Sequence, residues 1–481
     1  MDCDIYISYM SIIIQGAALY KAIFKKKRID KTKSRRSRRY KGRGRWQNSV
    51  IWKSYQDQRA LLCADTSIEP PWADLPVSYQ ALENSGAFKF LKDAEEAQAA
   101  FRLRYRISHV QFEKLMVLIR ERLDFSEQLD CTTRRETVAP LELKVMCVLR
   151  MLGRDSVLDD LEQMSGISVS TLNTFFRSFC AKITMLYDAF IDISGTSAAA
   201  ADSYEFLPGC LGSVDGVHLW WDRVPFHLKN QYKGVKTFPS ISFGVTANHA
   251  GRILSVTKGF QGSKNDKTVV RYDGFVKKLK QDPSFTSKTF ELYNLQGEAV
   301  SHHGTYVICD NGYHNWRVLQ SPISMASSYW DKQYSRFIES QRKDIECVFG
   351  RLKTRFLILK HPIRVLKHET VENIFFACCI LHNLIMANGD SEKEVQWLEN
   401  ESMRLDTKTS LAVEGRLNTN ESLAIQANIL PRPQIVLSFE SKGGEVEEEN
   451  GYFKLRTALV NHFRYLVESK KLKTFENRAE N

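Results

Sequence analysis

The chain has 481 residues, which is enough for two to four domains, each able to bury a full core. Its 43% apolar and 26% charged residues are ordinary for a globular protein. Ten cysteines without a CxxC pair fit neither a zinc knuckle nor an ordinary disulfide framework, and they favour a reduced intracellular compartment.

The net charge of +12 is concentrated near the N-terminus. Residues 21–45 contain fourteen Lys or Arg and one acid, so the rest of the chain is close to neutral. Such a run cannot fold alone, because its charges repel, and it suits nuclear import or contact with DNA phosphates. A solvated run without a specific use is the alternative. The candidate DNA-contacting residues are Lys25, Lys26, Lys27, Arg35, Arg36, Arg38 and Arg39.

An apolar stretch, residues 5–24, precedes this run. A secretory signal would carry its positive charge before the apolar stretch, and Gln15 and Lys21 weaken a membrane span. We therefore expect no membrane association. Residues 1–60 are interpreted as an apolar start followed by a disordered basic tail.

Residues 85–193 have the periodicity of helices, with apolar residues at i, i+3, i+4 and i+7. Two sets predict buried helix faces: Phe112, Leu115, Met116 and Ile119, then Leu141, Val145, Val148, Leu149 and Leu152. The small-residue stretch 194–203 is interpreted as a linker.

Residues 157–179 have the shape of a helix-turn-helix motif. Gly166 stands at the turn, Ile167 would plug it, and Ser168 can cap the second helix. The buried side of that helix would be Leu172, Phe175, Phe176 and Phe179. Its outward side offers Asn173, Thr174 and Arg177 to DNA. A purely structural helix pair is the alternative.

After Gly209 the pattern changes to strands: LGSVDGVHLWW, SISFGVTANH, RILSVTKGF and TYVICD are apolar or alternating runs. Two helices follow, RKDIECVFGRLKTRF and TVENIFFACCILHNLIMA, the second apolar on most sides and therefore predicted to be buried. Residues 205–390 are thus predicted to form an α+β or α/β domain with a mixed sheet. Residues 391–481 are interpreted as a charged C-terminal tail.

Three acids stand where a metal-dependent nuclease would place them. Asp215 is inside a glycine-flanked strand, Asp310 ends another strand, and Glu346 is on the first of the two helices. Arg342 and Lys353 lie on the same helix stripe as Glu346, where we expect them to contact a DNA backbone. Carboxylate oxygens are the ligands that Mg²⁺ and Mn²⁺ prefer, so we expect these acids to cluster around such ions.

Four sequence blocks resemble, in order, those of the PIF/Harbinger-type DDE transposases: GSVDGVHL, GFQGSKNDKTVVRYD, VICDNGYHN, and RKDIECVFGRLKTRF followed by ACCILHNLI. The resemblance implies an RNase H-like core, a divalent metal and cut-and-paste DNA chemistry, with Asp215, Asp310 and Glu346 as the catalytic acids. Asp266, in the second block, would be a fourth ligand or an acid that supports the ligands. Capping of the helix that begins nearby is its alternative role.

The resemblance also implies partners: transposon ends and target DNA, a separate Myb-like DNA-binding protein and a homo-oligomer, with the nucleus as the location. The leading interpretation is a transposase that cleaves DNA and transfers strands at transposon ends. A nuclease in a host role, and a domesticated DNA-binding or scaffolding protein without nuclease activity, are the alternatives.

Overall fold

The computed structural model describes residues 45–63, 86–125, 139–191, 204, 206–234, 237–388 and 442–472. They form two compact units, divided between Phe179 and Cys180. All but the last residue of the basic run 21–45 lies outside the described residues, and so does the predicted linker 194–203.

Helices build the first unit. Their bounds are α1 Val50–Leu62, α2 Gly86–Tyr105, α3 His109–Arg122, α4 Leu141–Arg154, α5 Leu158–Ser165 and α6 Val169–Ile183, the last of which crosses the boundary. Serine caps explain two of the starts. The Ser49 hydroxyl accepts the N–H of Trp52, and Ser108 and Gln111 form a reciprocal capping box.

The core of this unit is the one that the helical periodicity predicts. Both predicted sets of apolar residues are buried, which confirms them. A cluster of rings extends this core: Phe101 lies 5.3 Å from His109 and 5.6 Å from Phe112 between ring centroids, and Tyr55 packs beside them. Apolar burial of this extent is the main stabilising term for a helical unit.

The turn between α5 and α6 has the local geometry that the sequence predicts. Gly166 ends α5 in the left-handed region at φ 69°, which a glycine adopts without strain. Ile167 is buried, and the Ser168 hydroxyl accepts the N–H of Thr171 at 3.4 Å. The four predicted apolar residues of α6 are buried as well.

The second unit combines sheets and helices. Its strands are β1 Cys210–Trp220, β2 Ser240–Ala247, β3 Ile253–Val256, β4 Phe260–Gln261, β5 Thr289–Tyr293, β6 Ala299–His303, β7 Tyr306–Ile308 and β8 Leu319–Gln320. Its helices are α7 Tyr187–Phe190, α8 Lys229–Tyr232, α9 Asp266–Val270, α10 Gly274–Gln281, α11 Pro283–Thr286, α12 Tyr329–Arg355, α13 His368–Asn388 and α14 Lys442–Glu468.

The main sheet has the strand order β3-β2-β1-β7-β8, with β4 paired to β2. Neighbours among β1, β2 and β3 are antiparallel, whereas β7 runs parallel to β1 and β8 runs parallel to β7. All residues of β2 are buried, including Ser240, Ser242 and Thr246, which alternate with its apolar residues. The four predicted strands are therefore present in one mixed sheet, and the α+β class is confirmed.

Helix α13 is mostly buried, which confirms the prediction from its sequence. The Asn383 side chain bonds strand β3 through both of its groups, accepting the N–H of Ile253 at 2.9 Å and donating to its carbonyl. His382 bonds the Gly251 carbonyl at 3.0 Å. The LHN block thus satisfies backbone groups around β3 that a β-strand partner would otherwise bind.

Helix α13 is also the single helix in the described ranges that is long and apolar enough to cross a bilayer. The relevant stretch is His368–Ala387, and 67% of it is buried within the protein. A core helix of a folded domain has the same length and composition.

The region that the sequence describes only as a charged tail contains a long helix, α14. Its residues Leu455, Leu459 and Phe463 are buried in a cluster that includes Tyr334 and Ile338 of α12. The helix also packs on strand β5, where His462 Nδ1 accepts the N–H of Tyr293 at 2.9 Å. The charged start of α14 masks this apolar stripe in the sequence.

We predict that the docking of α14 weakens in acid. Burial, with the nearby charge of Lys471, lowers the pKa of His462 to about 4. The unfolded chain would bind a proton below about pH 6.5 and the folded chain would not. Stability should therefore fall, by on the order of 1–3 kcal/mol, as the pH drops from about 6.5 to about 4.

Urea unfolding at several pH values checks this prediction, with His462→Gln as the comparison. Gln can accept the Tyr293 N–H and does not titrate. The prediction fails if the parent and the variant lose stability in parallel across this pH range.

Candidate active site

Asp215 lies in the middle of β1, between its antiparallel neighbour β2 and its parallel neighbour β7. Its Oδ1 accepts the N–H of Gly216 at 2.7 Å, and its side chain is 21% exposed. The carboxylate is therefore partly desolvated and still open to a ligand.

Asp310 follows the neighbouring strand β7, two residues after the end of that strand. Ser213 of β1 pairs with Ile308 of β7 in parallel register, and each aspartate comes two residues after its paired position. Asp215 thus lies within β1, whereas Asp310 follows the end of β7 and is not part of a strand. The Gly312 N–H donates to Asp310 Oδ1 at 2.7 Å and fixes this carboxylate at the strand end.

Glu346 reaches the same place from α12, which packs against β1. One guanidinium joins it to the first aspartate: Arg342 Nη1 lies 3.0 Å from Asp215 Oδ2, and Nη2 lies 3.1 Å from Glu346 Oε1. Glu346 is therefore on the side of the sheet that Asp215 faces. Its side chain is 51% exposed, so it forms the open edge of the site.

The structure changes the expectation for the two basic residues of this helix. Two N–H groups of Arg342 are bound to the acids, where an outward contact with DNA was expected. Lys353 is half-buried. Gly350, one turn after Glu346, has open space where a Cβ would stand, as close approach of a ligand requires.

Asp266 is the first residue of α9, and its neighbour Asn265 caps that helix by accepting the N–H of Thr268 at 2.9 Å. Capping was the alternative role for Asp266, and the structure gives it to Asn265. The Asp266 carboxylate points to the other acids: a Cβ on Gly216 would lie 2.8 Å from Oδ1, and one on Gly312 would lie 3.5 Å from Oδ2. The same Gly312 position is 2.9 Å from Asp310 Oδ1.

Burial and neighbouring negative charges raise the pKa values of Asp215 and Asp266. Burial raises the pKa of Asp215 to about 6, with further increases from the charges of Asp310 and Asp266. The Gly216 N–H and the Arg342 guanidinium oppose this rise. Burial, and then the charge of Asp310, raises the pKa of Asp266. Crowded carboxylates of this kind are stabilised by a cation.

These residues fit a hard divalent cation, although no three His, Cys, Asp or Glu side chains in the described ranges are arranged to hold one as they stand. The donors are carboxylate oxygens without a nearby thiolate ligand, the set that Mg²⁺ and Mn²⁺ prefer. Asp215, Asp266 and Asp310 would bind the metal, with Glu346 joining once it leaves Arg342. The glycines 216 and 312 leave the space that larger residues would fill.

Two histidines flank the acids and are held by other groups. His218 Nδ1 lies 3.0 Å from the Ser240 hydroxyl. His314 Nε2 accepts from Arg271 Nε at 3.1 Å, and its ring stacks on Trp316 with centroids 4.7 Å apart. The contact of His218 links β1 to β2, and the contacts of His314 hold the loop after Asp310.

Helix α6 presents a polar surface in the first unit. Thr174 and Arg177 are exposed, and Asn173 is half-buried. A cavity of about 260 Å³ opens beside the start of the helix, lined by Lys144, Ser170, Thr171, Thr174 and Phe175. Hydroxyls and a cation around such a cavity are groups that could bind phosphate.

Comparison with known proteins shows what the second unit is similar to. The family described as "Plant transposon protein" matches residues 197–394, the part of the chain that carries all four acids. This segment of the chain is therefore similar to the plant transposon proteins. No solved structure matches the chain significantly.

The curated relatives that the chain matches are distant in sequence. "Protein ALP1-like" of Arabidopsis thaliana is 23% identical over 280 residues, which cover 53% of this chain and 64% of that protein. "Putative nuclease HARBI1" of Homo sapiens is 23% identical over 266 residues, 54% of this chain and 70% of that protein. The match thus spans less than two thirds of the Arabidopsis relative.

Proposed function

We propose that the second unit is a metal-dependent DNA endonuclease of the DDE type, acting as a transposase at transposon ends. The observation that carries this proposal is the parallel register of β1 and β7, which sets Asp215 beside Asp310 with Glu346 above them on α12. The nuclease name of the human relative agrees with it.

The strand order supports an RNase H-like core. Three antiparallel strands are followed by two that run parallel to the first; Asp215 lies on β1, and Asp310 follows the end of its neighbour β7. Ligands of open sheets bind at strand ends where the connections diverge, which is where Asp310 stands.

The chemistry follows from the positions of the carboxylates. Divalent ions, when bound, supply a Lewis acid that activates a water or a 3′-hydroxyl and stabilises the leaving oxygen. Asp215, Asp266 and Asp310 would hold them on the sheet, and Glu346 would close the site from the helix. Gly216 and Gly312 keep room between the carboxylates for the phosphate. No side-chain nucleophile is required.

DNA binding is proposed for three places. Asn173, Thr174 and Arg177 on α6 would contact the transposon end. Lys353, and Arg342 once it leaves the acids, would contact the strand at the site. The basic run 21–45 would bind phosphates without regard to sequence. The same run suits nuclear import, and we propose a nuclear location. A Myb-like DNA-binding protein and a second copy of the chain are the proposed protein partners.

A cleavage assay tests the proposal. DNA carrying the inverted repeats that flank the gene should be cut by the full chain in Mg²⁺ or Mn²⁺ and remain intact in excess chelator. DNA binding without cleavage in either metal would contradict the nuclease and favour the domesticated DNA-binding protein.

The basic run gives a separate expected result. Deleting residues 21–45 should flatten the dependence of DNA affinity on salt, since each phosphate contact contributes about 0.9 to the logarithmic slope. Fluorescence anisotropy on a random duplex at several salt concentrations measures this slope. A deletion that leaves both the slope and the nuclear location unchanged would show that the run is only a solvated tail.

A further inference from the structure

Arg342 occupies an unusual position for a residue beside a nuclease site. Its two terminal nitrogens bind Asp215 at 3.0 Å and Glu346 at 3.1 Å, so a single positive charge lies between the first and third acids. Its side chain is 19% exposed, and it begins one helical turn before Glu346. The guanidinium therefore lies where the charge of a bound cation would be needed.

This pairing leaves the guanidinium incompletely bonded. The third N–H group, at Nε, is buried and finds no acceptor in the described part of the chain. Buried donors in native proteins are usually satisfied. An arginine that formed a permanent structural bridge would be expected to donate hydrogen bonds from Nε as well as from its two terminal nitrogens. The geometry fits a side chain that is held only by its contacts with the two carboxylates and can exchange these partners.

Arg342 and a divalent ion would compete for the same two carboxylate oxygens. Asp215 Oδ2 and Glu346 Oε1 accept from Arg342 and are also oxygens that a divalent ion would coordinate. The guanidinium of an arginine stays protonated in proteins, so it keeps its positive charge and must move away when these oxygens bind a metal. Its partial exposure and its position on the rim of the site give it a path to solvent and to a DNA phosphate.

We propose that Arg342 is the internal counter-ion of the acidic site: it competes with the divalent metal for Asp215 and Glu346 and is released toward the DNA backbone when the metal binds. This inference rests on the proposed metal-dependent function. It makes Arg342 a positioning residue that keeps the carboxylates together before metal and DNA arrive. The free protein would then bind metal weakly, and DNA would strengthen metal binding by drawing the arginine away.

The test is a Mn²⁺ titration of the full chain without DNA, followed by the electron paramagnetic resonance signal of free Mn²⁺. Arg342→Gln removes the competing charge and should lower the Kd for Mn²⁺ about tenfold or more, because two charges a few ångströms apart interact strongly in a partly buried site. Arg342→Lys keeps the charge without the fork, and its Kd should fall between those of the parent and Arg342→Gln.

Lys343→Gln is the matched control. Lys343 is exposed and adjacent on α12, and its replacement removes the same formal charge without touching the acids, so the Kd should stay within about twofold. Thermal unfolding gives a second measurement. Saturating Mn²⁺ should raise the Tm of Arg342→Gln more than that of the parent, since tighter binding to the folded state stabilises it more at equal metal concentration.

The outcomes distinguish a failure of the competing role of Arg342 from a failure of the metal site itself. If the parent binds Mn²⁺ and Arg342→Gln binds it equally or more weakly, Arg342 is not a competitor and the inference is overturned. If neither the parent nor any variant binds Mn²⁺, the metal site of the proposed function fails and the inference fails with it. Tighter binding in Arg342→Gln that disappears when Asp215→Asn is added would establish both.

Discussion

Replacing Asp215 by Asn, Asp310 by Asn or Glu346 by Gln should each reduce DNA cleavage by about 10³-fold or more and leave the fold intact. Each substitution keeps the size of the side chain and removes the negative charge that a divalent ion requires, and metal ions contribute several kcal/mol to such reactions. The measurement is nicking of repeat-bearing DNA in Mg²⁺, together with thermal unfolding of each variant without metal.

The matched control is Asp344→Asn, two residues before Glu346 on the same helix. The Asp344 carboxylate accepts from the Tyr204 hydroxyl at 3.2 Å and pairs with His249 Nδ1 at 2.7 Å, so it takes no part in the acidic site. Its variant should cleave within about threefold of the parent, a change smaller than 1 kcal/mol. A triad variant that cleaves as well as Asp344→Asn would remove that residue from the set of ligands.

We also expect a particular effect of Asp215→Asn on the stability of the metal-free protein. Burial raises the pKa of Asp215 to about 6, so at neutral pH the folded protein carries an ionised group that it would hold more easily in the neutral form. Neutral Asn at this position should therefore not destabilise the metal-free protein beyond the loss of the Arg342 pair. Loss of activity without loss of stability is the pattern that separates a ligand from a structural residue.

Much of the fold could be predicted because the apolar residues repeat with the period of each element. The runs that became β1, β2 and β7 are apolar or alternating, and the stripes of α3 and α4 recur at helical spacing. These patterns are local, so a sequence shows them directly. The α+β class follows from their order along the chain.

Long-range pairing could not be predicted in the same way. The register that sets Asp215 beside Asp310 joins Ser213 to Ile308, residues 95 positions apart, and nothing local specifies it. The sequence placed these acids together through a family resemblance. Helix α14 was not predicted for a related reason. Its apolar stripe follows a charged start, and the residues of α12 and β5 that it packs against lie far away in the chain.

The contact between Arg342 and Asp215 could not be predicted from the sequence either. Its spacing to Glu346 on one helix face is visible, and an i, i+4 pair of opposite charge is an ordinary reading of that spacing. The second contact, with Asp215, depends on how α12 packs across β1. That contact turns an ordinary surface ion pair into a bridge between two acids of the site.

Asp266 is the acid whose role the sequence left open, because GSKND offers two good capping residues in a row. Asn and Asp cap helices about equally well. Which of the two residues takes the N-cap position therefore depends on where the first helical turn begins. The structure places Asn265 at the cap and turns Asp266 toward Gly216 and Gly312. Its pKa is raised by burial and by the charge of Asp310, which marks it as a member of the acidic cluster.

Asp266→Asn should therefore lower cleavage about 10- to 100-fold, the usual scale for groups that support or complete a metal site. Its stability should be unchanged or slightly higher, because Asn265 still caps α9 and the neutral amide relieves repulsion from Asp310. Asn265→Ala should show a different pattern: a loss of about 1 kcal/mol in the free energy of unfolding, from the missing cap. Thermal unfolding and cleavage assays of the two neighbouring variants decide the matter. Full activity in Asp266→Asn would leave Asp215, Asp310 and Glu346 as the whole metal site, because the structure has already given the capping role to Asn265.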